Sequence, residues 1–451
     1  MQIIRETIKP FDQLLKKQKR RQGEIYRLMN FVVEQLVEDG LLLYHTMTKA
    51  LLLLSPEETV LYRQDPTALP LLVENWFLVP LSHDDRLLSR QMRDVAKMLE
   101  RTTDAITHYT IMTTTDCNAR CFYCYEMGRP RVPMSEETTQ HTADYIIRHC
   151  QGKKVSITWF GGEPLYNKRV ITLICQRLQE AGIDYRSNMV TNGYLIDDAV
   201  IKEAVDLWHL DWVQITLDGT EKIYNRSKAY IYKGVNAYRR VMDNIHRLQA
   251  AGIKIKIRLN IDVHNTDNLK ELVEKLHQEF SNTEGISVYL HTLFEASAGS
   301  KAMHDDQKRV FIYQEMEEIR NLLEEYRLVM PARHISKIRA NACQADDDQS
   351  VVITPSGHIG KCEHFADDHF IGHIDQEEQD AEMIALFKEK REEIDDCATC
   401  SVYPNCFKLK LCPNEKLCYA EIQTEKIQKT KRWMSKTYQQ FKNSQQDETQ
   451  D

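Results

Sequence analysis

Three cysteines stand within eight positions of the stretch "TTTDCNARCFYCYEM": Cys117, Cys121 and Cys124. Thiols packed this closely are metal ligands by chemistry, yet three of them cannot close a tetrahedral zinc shell, which takes four. Either a fourth protein ligand comes from elsewhere, or one position is kept for another molecule. A [4Fe–4S] cluster with three protein thiolates and one free iron fits the second case. A second field follows, with Cys343, Cys362, Cys397, Cys400, Cys406, Cys412 and Cys418. Its Cys-x2-Cys step alone would suggest a zinc ribbon. The remaining two, Cys150 and Cys175, lie singly in helical patterns and read as small core residues.

Twelve cysteines would suggest disulfides only in an oxidising compartment. The opening "MQIIRETIKPFDQLLKKQKRRQ" lacks the continuous apolar region of a signal peptide. The run "KALLLLS" is too short to span a bilayer. The expectation is therefore a cytoplasmic protein without a membrane partner. Lys+Arg number 59 against 67 Asp+Glu, for a net charge of −8, which gives no reason to expect nucleic acid.

The elements that must position these thiols show in the hydrophobic pattern. Apolar runs at 108–115, 154–160, 184–192, 211–218, 254–263 and 286–294 alternate with stretches of helical period, one of which ends at Gly252 as a C′ cap would. Six strand–helix units in series predict a parallel sheet. They fall short of a closed eightfold barrel, so the fold class is α/β, a partial (β/α)6 TIM-like barrel. In the fifth strand Ile255, Ile257, Leu259 and Ile261 share the face toward the helices. Lys256, Arg258, Asn260 and Asp262 share the face toward the lumen. In the fourth, Gln214, Thr216 and Asp218 do the same. The cysteine triplet, "FGGEP" (160–164), "TNG" (191–193) and "LDG" (217–219) all fall at strand C-termini, the edge where parallel α/β folds build active sites.

Residues 1–105 read as a small α+β unit, with a turn near Asp39–Gly40 and a helix opening at "SPEE". Residues 106–300 are the barrel. Residues 301–451 read as a linking helix and a cysteine-rich domain, the tail after about 421 being a polar helix that fades into a disordered "NSQQDETQD". No cysteine precedes residue 117, so the first hundred residues read as removable without loss of any cluster ligand.

The spacing Cys-x3-Cys-x2-Cys, with the aromatic Tyr123 before the last thiol, resembles the radical S-adenosylmethionine (SAM) superfamily. What that resemblance implies is that SAM chelates the fourth iron and is cleaved to a 5′-deoxyadenosyl radical, which abstracts a substrate hydrogen. It implies that the turn at Gly161 and Gly162, with Glu163 nearby, holds the methionyl amine. By the same resemblance Thr191, Asn192 and Thr216 contact the ribose or methionyl group, and Tyr123 belongs to the cofactor site. Arg258 could pair with the carboxylate, or be a solvated charge at the barrel rim.

The second field resembles the SPASM extension of that superfamily, including a glycine five residues before the second cysteine (Gly357, Cys362). It departs in having five residues, "FKLKL", between Cys406 and Cys412 where three are usual. The resemblance implies one auxiliary [4Fe–4S] cluster on Cys343, Cys362 and Cys412 and another on Cys397, Cys400, Cys406 and Cys418, three clusters in all. Zinc is the alternative for the C-terminal run.

A radical SAM core with a SPASM extension resembles maturases of ribosomally made peptides, including the sactipeptide- and ranthipeptide-like thioether-forming ones. The expected enzyme abstracts a hydrogen from a precursor peptide to install a thioether or other cross-link. The N-terminal unit looks like their winged-helix-like leader-recognition module, in which an exposed strand pairs with the leader peptide; a plain cap on the barrel is the alternative. A reductase such as flavodoxin or ferredoxin is the implied electron donor. Two other readings stand beside this one: a sulfatase-type maturase forming formylglycine, and a non-catalytic metal-binding adaptor. Glu363, directly after Cys362, is the expected catalytic base, since related sulfatase maturases place an acidic residue there; His364 is the adjacent candidate.

Overall fold

The computed structural model of this 451-residue chain describes residues 1–9, 11–100, 103–293, 305–329, 341, 343–365, 368–406, 408–412, 418 and 420–448. Its centre is the expected row of six parallel strands: β7 (His108–Met112), β8 (Val155–Phe160), β9 (Tyr185–Thr191), β10 (Leu210–Thr216), β11 (Lys254–Ile261) and β12 (Ile286–Thr292). Helices such as Glu136–His149, Lys168–Glu180 and Ala237–Ala250 follow the strands and cover the outer wall. In β8 the alternation is complete: Val155, Ile157 and Trp159 are fully buried against the helices, while Ser156, Thr158 and Phe160 are half-buried on the other face. The helices answer with apolar stripes; Lys168–Glu180 buries Val170, Ile171, Ile174, Cys175 and Leu178. Cys150 and Cys175 are both fully buried there, as small core residues.

The sheet does not stop at six strands. Residues of the cysteine-rich region add β13 (Ser350–Ile353) parallel to β7, then β14 (His358–Gly360) and β15 (Gly372–His373) antiparallel beyond it. Periodicity alone did not announce this, because β13 is short and its partner lies far back in sequence. Gly357 turns the β13–β14 hairpin with φ of 82°, and a Cβ there would sit 2.8 Å from His373 Nε2.

The N-terminal unit carries a four-stranded antiparallel sheet in the order β1 (Gln2–Arg5), β5 (Leu51–Leu54), β4 (Gly40–His45), β3 (Val32–Val37), and a ribbon of β2 (Tyr26–Leu28) with β6 (Leu78–Pro80). The helix at "SPEE" is Pro56–Gln64, held by a capping box between Ser55 and Glu58.

One expectation is corrected here. The tail does not fade from residue 443: a helix runs over Ala420–Glu448, leaving only 449–451 outside the described residues. It docks on the N-terminal sheet, Trp433 packing on Tyr44 with ring centroids 4.7 Å apart and Met434 fully buried beside Leu42. Lys442 pairs with Asp39 at 2.8 Å. Apolar residues spaced through an otherwise polar helix sufficed to order it. The N-terminal unit also meets the cysteine-rich region. Asn30 Nδ2 donates to the Ala398 carbonyl at 2.7 Å, and Thr46 Oγ1 to that of Ser401 at 2.6 Å. Phe31 stacks on Tyr403, and Cys397 and Cys400 pack against the unit's core.

Candidate functional site

The ends of β7, β8 and β9 are sewn together before any ligand is considered. Gly162 N–H donates to the Thr114 carbonyl and Glu163 N–H to that of Asp116, both at 3.0 Å, so the glycine turn lies along the segment that leads into Cys117. Gly161 has φ of 126°, and a Cβ on it would stand 2.1 Å from the Thr114 carbonyl oxygen; one on Gly162 would stand 2.4 Å from that of Asp116. Only glycines permit this approach.

Glu163 is fully buried at the same edge. Its carboxylate accepts from Thr191 Oγ1 and from the Asn192 N–H, each at 2.7 Å, and from the Leu165 N–H at 3.1 Å. Burial raises its pKa to about 7. These bonds make it a bracket between the ends of β8 and β9. Asn192 continues inward, its Nδ2 donating to Asn118 Oδ1 at 2.7 Å and lying 3.8 Å from Cys117 Sγ.

Cys117, Cys121 and Cys124 are gathered on one loop, each partly exposed and close enough to feel the others' charge. Burial pushes the Cys117 thiol up to about 12 and, against the pull of Lys228, Cys124 to about 11, so a bound metal would be what makes thiolates of them. A cubane takes one thiolate per iron and spreads its ligands wider than a single ion does. Among the described residues no three His, Cys, Asp or Glu side chains converge as single-ion ligands would.

Sequence reasoning missed the lysine under this loop. Lys228, 3% exposed, pairs with Asp218 at 3.0 Å and donates to the Tyr123 hydroxyl at 2.7 Å; that hydroxyl donates to Asp218 at 2.5 Å. Tyr123 is thus committed through its hydroxyl to a buried triad beside Cys121. "LDG" pointed to Asp218, but nothing in "NRSKAY" marks Lys228, whose place follows from the left-handed turn at Ala229. Thr216 is half-buried on the lumen face of β10. Arg258 is not a solvated rim charge: its Nε donates to Asn260 Oδ1 at 2.9 Å, and its Nη2 lies 3.0 Å from His291 Nδ1.

The second field divides in space. Burial raises the pKa of Cys343 and Cys362, and the nearby charges of Cys412 and Glu363 raise both further. Cys397, Cys400, Cys406 and Cys418 form a separate set. Burial also raises Glu363, and Gln344 donates to its carboxylate while accepting from Thr110 Oγ1 of β7 at 2.8 Å. A cavity of about 380 Å³ lies against Thr110, Thr158, Cys343 and Gln344. His364 packs tilted against Tyr125, one residue past Cys124, with centroids 4.2 Å apart, and Arg129 donates to its carbonyl at 2.8 Å. Burial pushes its imidazole down to about 4, so it is neutral near pH 7.

Residues 111–278 match the Radical SAM superfamily. Among curated relatives, the Fe-coproporphyrin III synthase of Methanosarcina barkeri is 26% identical over 43% of this chain and 45% of its own. A probable GTP 3′,8-cyclase of Pyrococcus horikoshii is 28% identical over 39% and 53%. The chain spans about half the length of these relatives, and their named activities differ from each other. Among solved structures, anSMEcpe with bound AdoMet and Cp18Cys peptide superposes with a TM-score of 0.53 at 15% identity, over 75% of this chain and 99% of that one. At that identity the likeness is one of fold.

Proposed function

We propose that the protein, whose residues 111–278 match the Radical SAM superfamily and whose C-terminal part holds a second, SPASM-like cysteine field, is a maturase that abstracts a hydrogen from a precursor peptide and closes a thioether or other cross-link. The observation that carries it is the meeting of Cys117, Cys121 and Cys124 with the Gly161–Gly162 turn, packed along the segment that leads into Cys117, at the C-terminal edge of six parallel strands. Bound SAM on a reduced [4Fe–4S] cluster supplies the abstracting chemistry. The chain's own residues do the rest. Gly161 and Gly162 let their turn lie close along Thr114–Asp116 at the methionyl site, and Glu163, Thr191 and Asn192 fix the strand ends around it. Lys228 and Asp218 orient Tyr123 beneath the cluster loop. Thr216 and Arg258 face the lumen where the nucleoside and substrate lie.

Cys343, Cys362 and Cys412 hold a first auxiliary [4Fe–4S] cluster, and Cys397, Cys400, Cys406 and Cys418 a second. Glu363 takes the substrate proton: it is a half-buried carboxyl with raised pKa, held by Gln344, which lines the cavity. The leader peptide pairs with an edge of the N-terminal sheet, where β3 is hydrogen-bonded to β4 on one side. A flavodoxin or ferredoxin provides electrons.

Glu363 beside Cys362 favours a second reading, oxidation of a Cys or Ser to formylglycine, and the shared fold with a protein solved with bound AdoMet and peptide agrees with it. One experiment separates the two. The anaerobically reconstituted chain is incubated with SAM, reductant and candidate peptides encoded next to its gene. A cross-link shows as loss of two hydrogens with no hydrazine-reactive aldehyde; formylglycine shows as the aldehyde. No peptide change alongside 5′-deoxyadenosine formation would sink both.

A further inference from the structure

Lys49 is a buried cation without a buried anion. It is 5% exposed, at the end of the turn between β4 and β5. Its Nζ donates to two neutral acceptors, the Thr46 carbonyl at 2.5 Å and Asn405 Oδ1. Among the described residues no carboxylate pairs with it, and the charge whose field reaches it most, Arg5, has the same sign. Burial accordingly pulls its pKa down to about 7. A buried ammonium with no anion beside it is costly, and among the described residues of the N-terminal unit only the Thr46 carbonyl offsets that.

What it faces is the loop of Cys397, Cys400 and Cys406. Asn405 immediately precedes Cys406 and returns a bond from its Nδ2 to the Thr46 carbonyl at 3.2 Å. Arg93, 6% exposed on the helix Asp85–Glu100, donates from Nη1 to the Cys406 carbonyl at 3.1 Å and lies over the Tyr403 ring at 5.3 Å. Lys49 and Arg93 line one cleft together with Pro404 and Asn405. A [4Fe–4S] core held by four thiolates carries net negative charge in either redox state, and its potential follows the charges around it.

We propose that Lys49 and Arg93 of the N-terminal unit are the counter-charges of a cluster on Cys397, Cys400, Cys406 and Cys418, and set its reduction potential. This rests on the ligand assignment proposed above. It makes the N-terminal unit part of that redox centre. The missing anion of Lys49 is the cluster itself.

The test uses the full chain reconstituted with iron and sulfide, as parent, Lys49→Met, Lys49→Arg and Cys400→Ser. The parent is expected to bind about twelve Fe and Cys400→Ser about eight. A parent at about eight Fe overturns the ligand assignment and this inference with it. With the assignment secured by that control, an EPR-monitored redox titration decides the role of Lys49. In Lys49→Met the potential of the signal missing from Cys400→Ser, and of no other, should move negative, because the incoming electron has lost a positive neighbour. Lys49→Arg should restore it. Unmoved potentials in a fully loaded Lys49→Met chain would overturn the inference. If Lys49→Met fails to load the cluster, recovery by Lys49→Arg supports the charge and failure of both overturns it. Melting gives an independent sign: Lys49→Met should stabilise the iron-free chain and destabilise the loaded one, and the same sign in both states would count against the role.

Discussion

The rings of Tyr125 and His364 pack with centroids 4.2 Å apart, so the residue after Cys124 touches the second residue after Cys362 although the barrel's whole sequence separates them. The two cysteine loops are therefore one packed body. Tyr125 is half-buried, so Tyr125→Ala should lower stability by about 1–3 kcal/mol, while Tyr125→Phe keeps the ring contact and costs less than about 1.5 kcal/mol. Thermal unfolding of the reconstituted chain measures both. Equal losses would mean the ring contact contributes little.

Replacing Cys117, Cys121 and Cys124 together with Ala should abolish SAM cleavage and remove about four of about twelve Fe. Seven of the other nine thiols sit in two other groups. Formation of 5′-deoxyadenosine by the reduced triple variant would refute the assignment.

Glu363→Gln preserves shape and the partner Gln344 while removing the base. Peptide conversion should fall at least about a hundredfold, the usual scale of general base catalysis, with uncoupled SAM cleavage near the parent rate. Parent-rate conversion with all clusters bound would rule Glu363 out.

His45 gives the N-terminal unit a pH dependence of its own. Burial lowers its pKa to about 4, against about 6.5 in the unfolded chain. Between these values the unfolded chain takes up a proton that the folded one refuses, so stability is lost as pH falls from about 6.5 toward about 4. The gap is worth on the order of 3 kcal/mol. Urea melts of the parent and His45→Gln across that window check it: only the parent's slope should be steep.

Removing residues 1–100 should cost more than peptide affinity. The loop at 397–406 loses the bonds from Asn30, Thr46 and Arg93, and bound iron should drop from about twelve to about eight per chain. A truncated chain that keeps about twelve Fe would show the loop stands alone.

The barrel was legible because strand and helix periods there are long and regular. The runs containing Ile157 and Ile257 bury the expected faces, and Gly252, at φ of 76°, ends its helix as the sequence suggests. The motif residues likewise fall together at one edge. What escaped was set by tertiary contact rather than local pattern. Lys228 is an ordinary lysine until Asp218 and Tyr123 are brought over it. Lys49 looks like any turn residue until Asn405 arrives. Strand β13 is too short to read without β7 beside it, and Glu163 marks the right turn while its hydrogen-bond partners are visible only in three dimensions.

The pairing of β13 with β7 also puts the molecule on a clock. The chain emerges from the ribosome in sequence order, so β7 is made long before Ser350–Ile353 exist to cover its outer edge. At ordinary synthesis rates that interval is roughly ten to fifty seconds. Throughout it the nascent barrel presents an unpaired strand edge, the kind that recruits other chains. The N-terminal sheet waits longer still, because Trp433 and Met434 come near the end of the sequence. Production of this protein should therefore respond to slower growth temperature and chaperone supply more than its finished fold would suggest.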